Sequence, residues 1–183
     1  MDISKVIRGF TSEIIEILRK DMDANELKEI GIRGDCVFAV YSTPKKNDLW
    51  ELNYRACYIN TYMKMLNKLL EERKLPTIKA GIGLATDVTL AVKAGRKSSG
   101  INNLVWIGEA VAKASKLSDL GNKNGVSSIV MSELFYDNYI DVETDEKAKS
   151  WWTKKTDTTL GTYYHGNVII NDFNSWVEGG MED

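Results

Sequence analysis

The chain has 183 residues, a formal net charge of −2 at pH 7 and 43% hydrophobic residues. This length and composition fit a single domain over residues 1–183 with one hydrophobic core. The weak net charge gives no field that would favour nucleic acid or an anionic membrane as a partner. The apolar runs are too short to span a bilayer and no signal-peptide core precedes Ile3, so we expect a cytoplasmic protein.

Two cysteines and one histidine restrict the chemistry available to the chain. Cys36 and Cys57 have no metal-binding spacing, and in the cytoplasm we expect two buried free thiols instead of a disulfide. A single histidine gives zinc sites and Ser–His–Asp catalysis little support. Because His165 stands beside Gly166, we expect an exposed histidine in a turn.

The first half of the chain predicts a helix, a hairpin and a second helix. Apolar residues at three- and four-residue steps predict an amphipathic helix over residues 3–20. Two strand-like runs then meet at Gly34–Asp35, which is a strong hairpin signal. A second helical pattern begins at Leu49 and ends near Arg73. Its tyrosines at four-residue steps indicate helix–sheet packing in preference to a base-stacking platform: Tyr54, Tyr58 and Tyr62.

The second half begins with strands around a glycine-rich loop. The pattern predicts a strand at Ile78–Leu84, a return strand at Val88–Ala94, a third apolar run at Leu104–Ile107 and a helix opened by Gly108. The segment SSIVMSELFYDNY then predicts a strand leading into a short helix. Tyr163–Tyr164 and then Val168–Ile170, followed by Asn171–Asp172, suggest a final strand ending in a turn. From about residue 178 we expect a frayed tail.

This element order over Ile78–Leu120 resembles the second half of a class III nucleotide cyclase domain. The phrasing KAGRKSSGINNLVWIGEAV is most similar to the bacterial pyrimidine cyclases of Pycsar antiphage systems. The resemblance covers roughly Ile3–Tyr139 and implies an α+β, ferredoxin-like mixed sheet with helices packed on one face. It also implies a phosphorus–oxygen lyase that converts UTP, in preference to CTP, to the 3′,5′-cyclic monophosphate and pyrophosphate. The product would activate a separate effector in antiphage defence.

The resemblance implies that Asp35 is a metal ligand in a site for two Mg²⁺ or Mn²⁺ ions. Two divalent ions can activate the ribose 3′-hydroxyl and neutralise the leaving oxygens, and Mg²⁺ prefers carboxylate ligands on a rigid support. Gly34–Asp35 as a plain tight turn is the alternative. In the family, the second carboxylate that binds metal lies at the end of the first strand. We expect that strand and the first helix to be absent from this chain. The alternative, that Asp2 is the second metal ligand, stays open.

Two lysines on the helix after Gly108 are the candidate catalytic residues. The purine cyclases of the superfamily carry there an Asn and, four residues on, an Arg that stabilises the transition state. The resemblance places Ala112 at the Asn and Lys116 at the Arg, so the Asn role is unfilled unless Lys113 substitutes for it. Lys116 keeps the positive charge without the planar fork of arginine. The alternative to a catalytic role is that both lysines simply lie on the solvent-exposed face of an amphipathic helix.

Base choice in purine cyclases is encoded by a Lys and an Asp at two strand positions. The resemblance places Gly31 and Val105 there, so the groups that recognise adenine are missing. This fits a pyrimidine substrate without choosing between uracil and cytosine. Candidate substrate-binding residues are Val105, Trp106 and Arg33, which shares a strand face with Asp35. For Trp106, a core position between sheet and helix is the alternative that we favour.

Four further basic residues are candidates for contacts with the triphosphate. Arg96 and Lys97 lie in the glycine-rich loop, which lacks Walker spacing and for which a solvated loop is the favoured alternative. The family uses late-strand lysines on the polyphosphate, which makes Lys154 and Lys155 candidates.

The family assembles its active site between two subunits, so the resemblance implies a head-to-tail homodimer. Two rival hypotheses remain. One is a catalytically inactive cyclase-homology module that binds nucleotide or dimerises, which Ala112 and the missing first strand favour. The other is an adenylate cyclase with a relocated base pocket, against which Gly31 and Val105 argue.

Overall fold

The computed structural model describes residues 3–95 and 102–181. They form two compact units: the first unit joins the residues up to Ile78 with those from Val168 onwards, and the second unit is Lys79–Asn167. None of the described helices is long and apolar enough to cross a membrane. In chain order the elements are α1 (Ile3–Arg19), β1 (Leu27–Arg33), β2 (Cys36–Tyr41), α2 (Lys46–Glu72), β3 (Ile82–Leu84), β4 (Leu90–Gly95), β5 (Asn102–Ile107), α3 (Glu109–Leu120), β6 (Ile129–Ser132), α4 (Glu133–Ile140), a 3₁₀ turn (Ala148–Trp151), β7 (Thr153–Asp157), β8 (Gly161–Gly166) and α5 (Asn171–Glu178).

The C-terminal end of α1 is held by side chains from β2 and α2. The Tyr41 hydroxyl donates to the Leu18 carbonyl at 2.6 Å. The Arg55 guanidinium donates to the carbonyls of Ile17 and Lys20, each at 2.7 Å. These bonds satisfy carbonyls that a helix end leaves without partners, and the cation complements the helix dipole. Burial raises the pKa of Tyr41 to about 12, although the Arg55 charge opposes the shift.

Two asparagines of α2 hold the chain where it leaves the first unit and where it returns. The Asn67 amide exchanges two hydrogen bonds of 2.8 Å with the backbone of Ile78. The Asn60 amide donates to the Val168 carbonyl at 2.9 Å. These residues are seven apart and therefore lie on one face of the helix.

The predicted final strand is confirmed at Tyr163–Tyr164, which lie in β8, but it is wrong at Val168–Ile170. The Ile170 amide donates to the Thr61 hydroxyl at 2.9 Å, and α5 begins at the next residue, Asn171. This apolar run is paired to polar side chains of a helix instead of to a strand, which its composition does not reveal.

The tyrosines of α2 divide between the interior and the surface. Tyr62 is buried, whereas Tyr54 and Tyr58 are 42% and 37% exposed. Tyr58 packs against Phe173 of α5 at 4.9 Å between ring centroids. The prediction of helix–sheet packing is therefore wrong for the exposed pair, because four-residue steps drift around a helix of this length.

The second unit contains a four-stranded mixed sheet in the order β3-β6-β8-β7. Strand β3 is parallel to β6, whereas β6 and β7 are each antiparallel to β8. Strands β4 and β5 form a separate antiparallel pair. The predicted return strand therefore exists as β4, but its partner is β5 and not β3. The mixed sheet with packed helices confirms the predicted α+β class.

Glycines in and beside β3 let the strand approach the backbone of α3. A Cβ atom on Gly83 would collide with the Ala114 carbonyl oxygen, and one on Gly81 with that of Ser118. Leu117 of α3 is fully buried in a cluster with Val130. The small residues of β3 thus fix how closely α3 packs on the sheet.

The prediction of an exposed turn for His165 is wrong. Strand β8 continues through Gly166, which pairs with Ile129, and His165 is 5% exposed. Its Nδ1 accepts a hydrogen bond of 3.0 Å from the Ser127 amide. Burial, together with the nearby Lys155 charge, lowers the pKa of His165. Cys36 and Cys57 are not joined in a disulfide, as predicted. Cys57 is buried, but Cys36 is only half-buried, so the prediction of two buried thiols is wrong for Cys36.

Candidate active site

The β1–β2 hairpin presents Asp35 at its tip. Arg33 is opposite Cys36, which leaves Gly34 and Asp35 as a two-residue turn. Gly34 has φ +61°, and Asp35 is not among the residues of positive φ. A positive φ at the first central position alone is the pattern of a type II′ hairpin turn, which favours glycine there. The predicted hairpin turn at Gly34–Asp35 is confirmed, and the Asp35 carboxylate is exposed.

The exposed Asp35 carboxylate suits a hard divalent cation. Mg²⁺ is commonly held by one or two carboxylates, waters and substrate phosphates, so one carboxylate on a rigid turn fits such an ion. Within the described residues, no group of three or more His, Cys, Asp or Glu side chains is placed to hold a metal ion. Asp2 lies outside the described ranges. The metal role of Asp35 stays a prediction.

Arg33 and Phe38 lie together on one face of the same hairpin. The Arg33 guanidinium carbon is 5.1 Å from the centroid of the Phe38 ring, a cation–π distance. Phe38 is directly opposite Gly31 in the strand register. Sequence reasoning missed Phe38, although counting outward from the Gly34–Asp35 turn pairs position 31 with position 38.

Helix α3 carries the two candidate catalytic lysines. Gly108, at its N-cap, has φ +156°, and a Cβ there would lie 2.9 Å from the Thr89 hydroxyl, so glycine is required. Ala112 and Lys116 are exposed, whereas Lys113 is half-buried. Both lysines belong to the second unit, and Asp35 and Arg33 belong to the first. Their catalytic roles stay predictions.

Val105 belongs to an exposed apolar face on the β4–β5 pair. The register places Leu90 opposite Ile107 and Val92 opposite Val105. These four residues are 61%, 55%, 39% and 44% exposed, respectively. We call them the β4–β5 face. Trp106 points to the other side of its strand and is half-buried, which agrees with either interpretation of that residue.

Both late lysines are on β7, and each already has a contact. Lys154 Nζ is 3.3 Å from a Glu133 carboxylate oxygen and 5.7 Å from the Tyr164 ring centroid. The hydrogen bond to Glu133 and a second one to Tyr164 raise the pKa of Lys154. Lys155 donates to the Gly125 carbonyl at 3.1 Å. Arg96 and Lys97 lie outside the described residues.

The chain is similar to two curated proteins named uridylate cyclase. The protein from Treponema porcinum is 48% identical over 182 residues, covering 100% of this chain and 61% of that relative. The protein from Gulbenkiania mobilis is 31% identical over 186 residues, covering 96% of this chain and 71% of that relative. The chain therefore spans about three fifths of the length of the first relative. No protein-family model matches the chain.

Solved cyclase structures share the fold. The guanylyl cyclase Cya2 superposes with a TM-score of 0.67 at 11% identity, covering 94% of this chain and 83% of that one. A bacterial light-regulated adenylyl cyclase superposes with a TM-score of 0.70 at 16% identity, covering 98% of this chain and 50% of that one.

Proposed function

Because this chain belongs to the uridylate cyclase family, with the class III nucleotide cyclase fold, we propose that it converts UTP to 3′,5′-cyclic UMP and pyrophosphate. The observation that carries the proposal is the 48% identity to a uridylate cyclase across the whole chain. CTP is the competing substrate. The cyclic nucleotide would serve as a second messenger that activates a separate effector in antiphage defence, inside the cytoplasm.

The reaction is an internal substitution at the α-phosphorus of the nucleotide. The ribose 3′-oxygen forms a bond to the α-phosphorus, the bond to the bridging oxygen breaks, and pyrophosphate leaves while the hydroxyl proton passes to solvent. Asp35 would hold Mg²⁺ or Mn²⁺, which supplies neutralisation of the phosphate charge when bound. Lys116, exposed on α3, would place a positive charge against the α-phosphate. Lys113 is the second candidate for that role.

The β4–β5 face supports a homodimer. Two directly opposed pairs of large apolar residues are exposed on one side of a two-stranded ribbon. Contiguous apolar surface of this kind indicates a contact with another protein surface. A head-to-tail pair of subunits would cover this face and would complete two shared active sites.

The test is an incubation with equimolar ATP, GTP, CTP and UTP plus Mn²⁺ or Mg²⁺, with mass-spectrometric detection of cyclic mononucleotides. We expect cyclic UMP as the main product. Asp35→Asn should lower the formation of cyclic UMP by about a hundredfold or more, because a neutral amide does not offer the divalent cation a negative charge. Asp137→Asn, at an exposed carboxylate of α4, is the matched control and should retain activity.

The results decide between the proposal and its rivals. Cyclic AMP as the main product would contradict the pyrimidine assignment, and cyclic CMP would move it from uracil to cytosine. The second candidate function is a nucleotide-binding module without turnover. The exposed, non-polar Ala112 favours it, since the transition-state Asn has no replacement at that position. Binding of UTP without any cyclic product would support that candidate.

A further inference from the structure

The two faces of the β1–β2 hairpin have different surroundings. Tyr41 of β2 bonds to the Leu18 carbonyl of α1, so its face is turned toward that helix. Phe38 is three residues earlier on the same strand and therefore lies on the opposite face. The register places Gly31 and Arg33 on that face as well, since they pair with Phe38 and Cys36.

The Phe38 ring lies directly on the backbone of Gly31. A Cβ atom on Gly31 would be 2.8 Å and 2.9 Å from two carbon atoms of the ring, closer than real Cβ contacts. The ring thus occupies the volume that any side chain at position 31 would need. The Phe38 ring can keep this position only while residue 31 is glycine.

Arg33 adds hydrogen-bond donors beside this ring. Its guanidinium carbon is 5.1 Å from the Phe38 ring centroid, and the side chain is exposed. A guanidinium that packs on an aromatic ring keeps its edge N–H groups directed outward. The surface therefore combines a flat ring with fixed donors, two residues along the strand from Asp35.

We propose that Phe38 is a specificity-determining residue for the nucleobase: seated on Gly31 beside Arg33, it forms the floor of the base site and admits a single-ring base. A pyrimidine can stack on an aromatic side chain and present its O2 carbonyl to the Arg33 donors. A purine needs the additional depth that the Phe38 ring fills. The inference rests on the proposed function, because it assumes that a nucleoside triphosphate binds beside Asp35.

The test measures binding, so that it does not depend on turnover. Calorimetric titrations would use 3′-deoxy UTP, CTP and ATP, which lack the attacking hydroxyl, in the presence of Mg²⁺. Phe38→Ala removes the ring, and Phe38→Leu keeps much of its volume without aromaticity. Ile32→Ala is the matched control, because Ile32 is 55% exposed on β1, the partner strand of Phe38, but on the other face of the hairpin. Thermal unfolding of each variant establishes that it is folded.

We expect the unmodified chain to bind the pyrimidine analogues at least about tenfold more tightly than the adenine analogue. Phe38→Ala should reduce this ratio to near one, by weakening pyrimidine binding and strengthening adenine binding. Phe38→Leu should weaken pyrimidine binding about fivefold or more while it still excludes adenine. Gly31→Ala should lower the ratio too, because its Cβ displaces the ring, and Ile32→Ala should leave the ratio unchanged.

Failure of this inference is distinguishable from failure of the proposed function. A pyrimidine preference that persists in folded Phe38→Ala and Gly31→Ala variants would overturn the role of Phe38 and leave the cyclase assignment standing. An equal loss of preference in Ile32→Ala would overturn it as well. No binding of any analogue by the unmodified chain would overturn both.

Discussion

Strand β6 and the β4–β5 face are both rich in apolar residues, yet their exposure is opposite. Ile129, Val130 and Met131 of β6 are 0% exposed, whereas Leu90 and Ile107 are 61% and 55% exposed. Strand β6 has a neighbour along each edge, β3 and β8. The apolar residues of β6 therefore stabilise the fold within one chain. Those of the β4–β5 face are available for assembly.

The largest effect on stability should come from disturbing the packing of α3 on β3, the strand that pairs with β6. Gly83→Ala places a Cβ against the Ala114 carbonyl and 2.6 Å from the Ser118 amide nitrogen. Because both are backbone atoms of α3, the strand and helix must separate. We expect a loss of about 3 kcal/mol in the free energy of unfolding, measured by urea denaturation.

Gly9→Ala is the matched control for this substitution. Gly9 lies in α1, and a Cβ there would meet nothing within 4 Å. Alanine in place of glycine in an exposed helix should raise the stability by about 0.5–1 kcal/mol. A Gly83→Ala protein as stable as the unmodified chain would show that the glycine is not required for the packing of α3.

Charge on the β4–β5 face should act on assembly and leave the fold intact. Leu90→Lys adds a cation to the face proposed as the subunit contact, and an unpaired charge is costly to bury there. We expect monomers by light scattering and loss of cyclic nucleotide formation. The stability of the monomer should change by no more than about 0.5 kcal/mol. Leu134→Lys, at a position 50% exposed on α4, should remain dimeric.

A smaller, pH-dependent effect is expected beside β6, at His165. Folding lowers the pKa of His165 from 6.5, so the unfolded chain binds the proton more readily. This group contributes stability above about pH 6.5 that is lost as the pH falls toward its lower folded pKa. His165→Asn keeps an acceptor for the Ser127 amide without titrating. Its unfolding midpoint should fall less than that of the unmodified chain between pH 7.5 and 5; equal slopes would contradict the prediction.

The smallest effect should come from the surface ion pair between Lys154 of the edge strand β7 and Glu133 at the start of α4. Lys154 and Glu133 are 57% and 45% exposed, so water and salt screen their attraction. Lys154→Ala should shift the thermal midpoint by less than about 1 °C at 150 mM salt. A loss of cyclase activity at unchanged stability would support contact between Lys154 and the polyphosphate. Glu133→Gln is the control, because it breaks the same ion pair but keeps Lys154.

The sequence predicts local elements of this fold better than it predicts their partners. The β1–β2 hairpin and the start of α3 are confirmed, because Gly34 and Gly108 mark them with backbone conformations that suit glycine. The pairing of β3 with β6 was missed, since a parallel partner 47 residues away leaves no local signal. His165 was assigned to a turn because Gly166 usually marks one, whereas here the strand continues.

The candidate site follows the same rule. Asp35 and Arg33 were identified within a hairpin whose turn fixes the register, and the structure places both on it. Phe38 was missed because its proposed role depends on Gly31, the residue opposite it in the strand pair. The predicted roles of Lys116 and Val105 depend on contacts with substrate or a second subunit, which the sequence of one chain does not encode directly.

Helix α2 binds the backbone at both ends of the second unit, which bears on the order in which the two units are synthesised. Asn67 binds the backbone at Ile78 and Asn60 binds it at Val168, so everything between is an insertion into the first unit. A ribosome delivers α1, the β1–β2 hairpin and α2 well before α5, and Tyr58 lacks the Phe173 ring until then. The whole second unit is therefore synthesised before the last helix of the first unit.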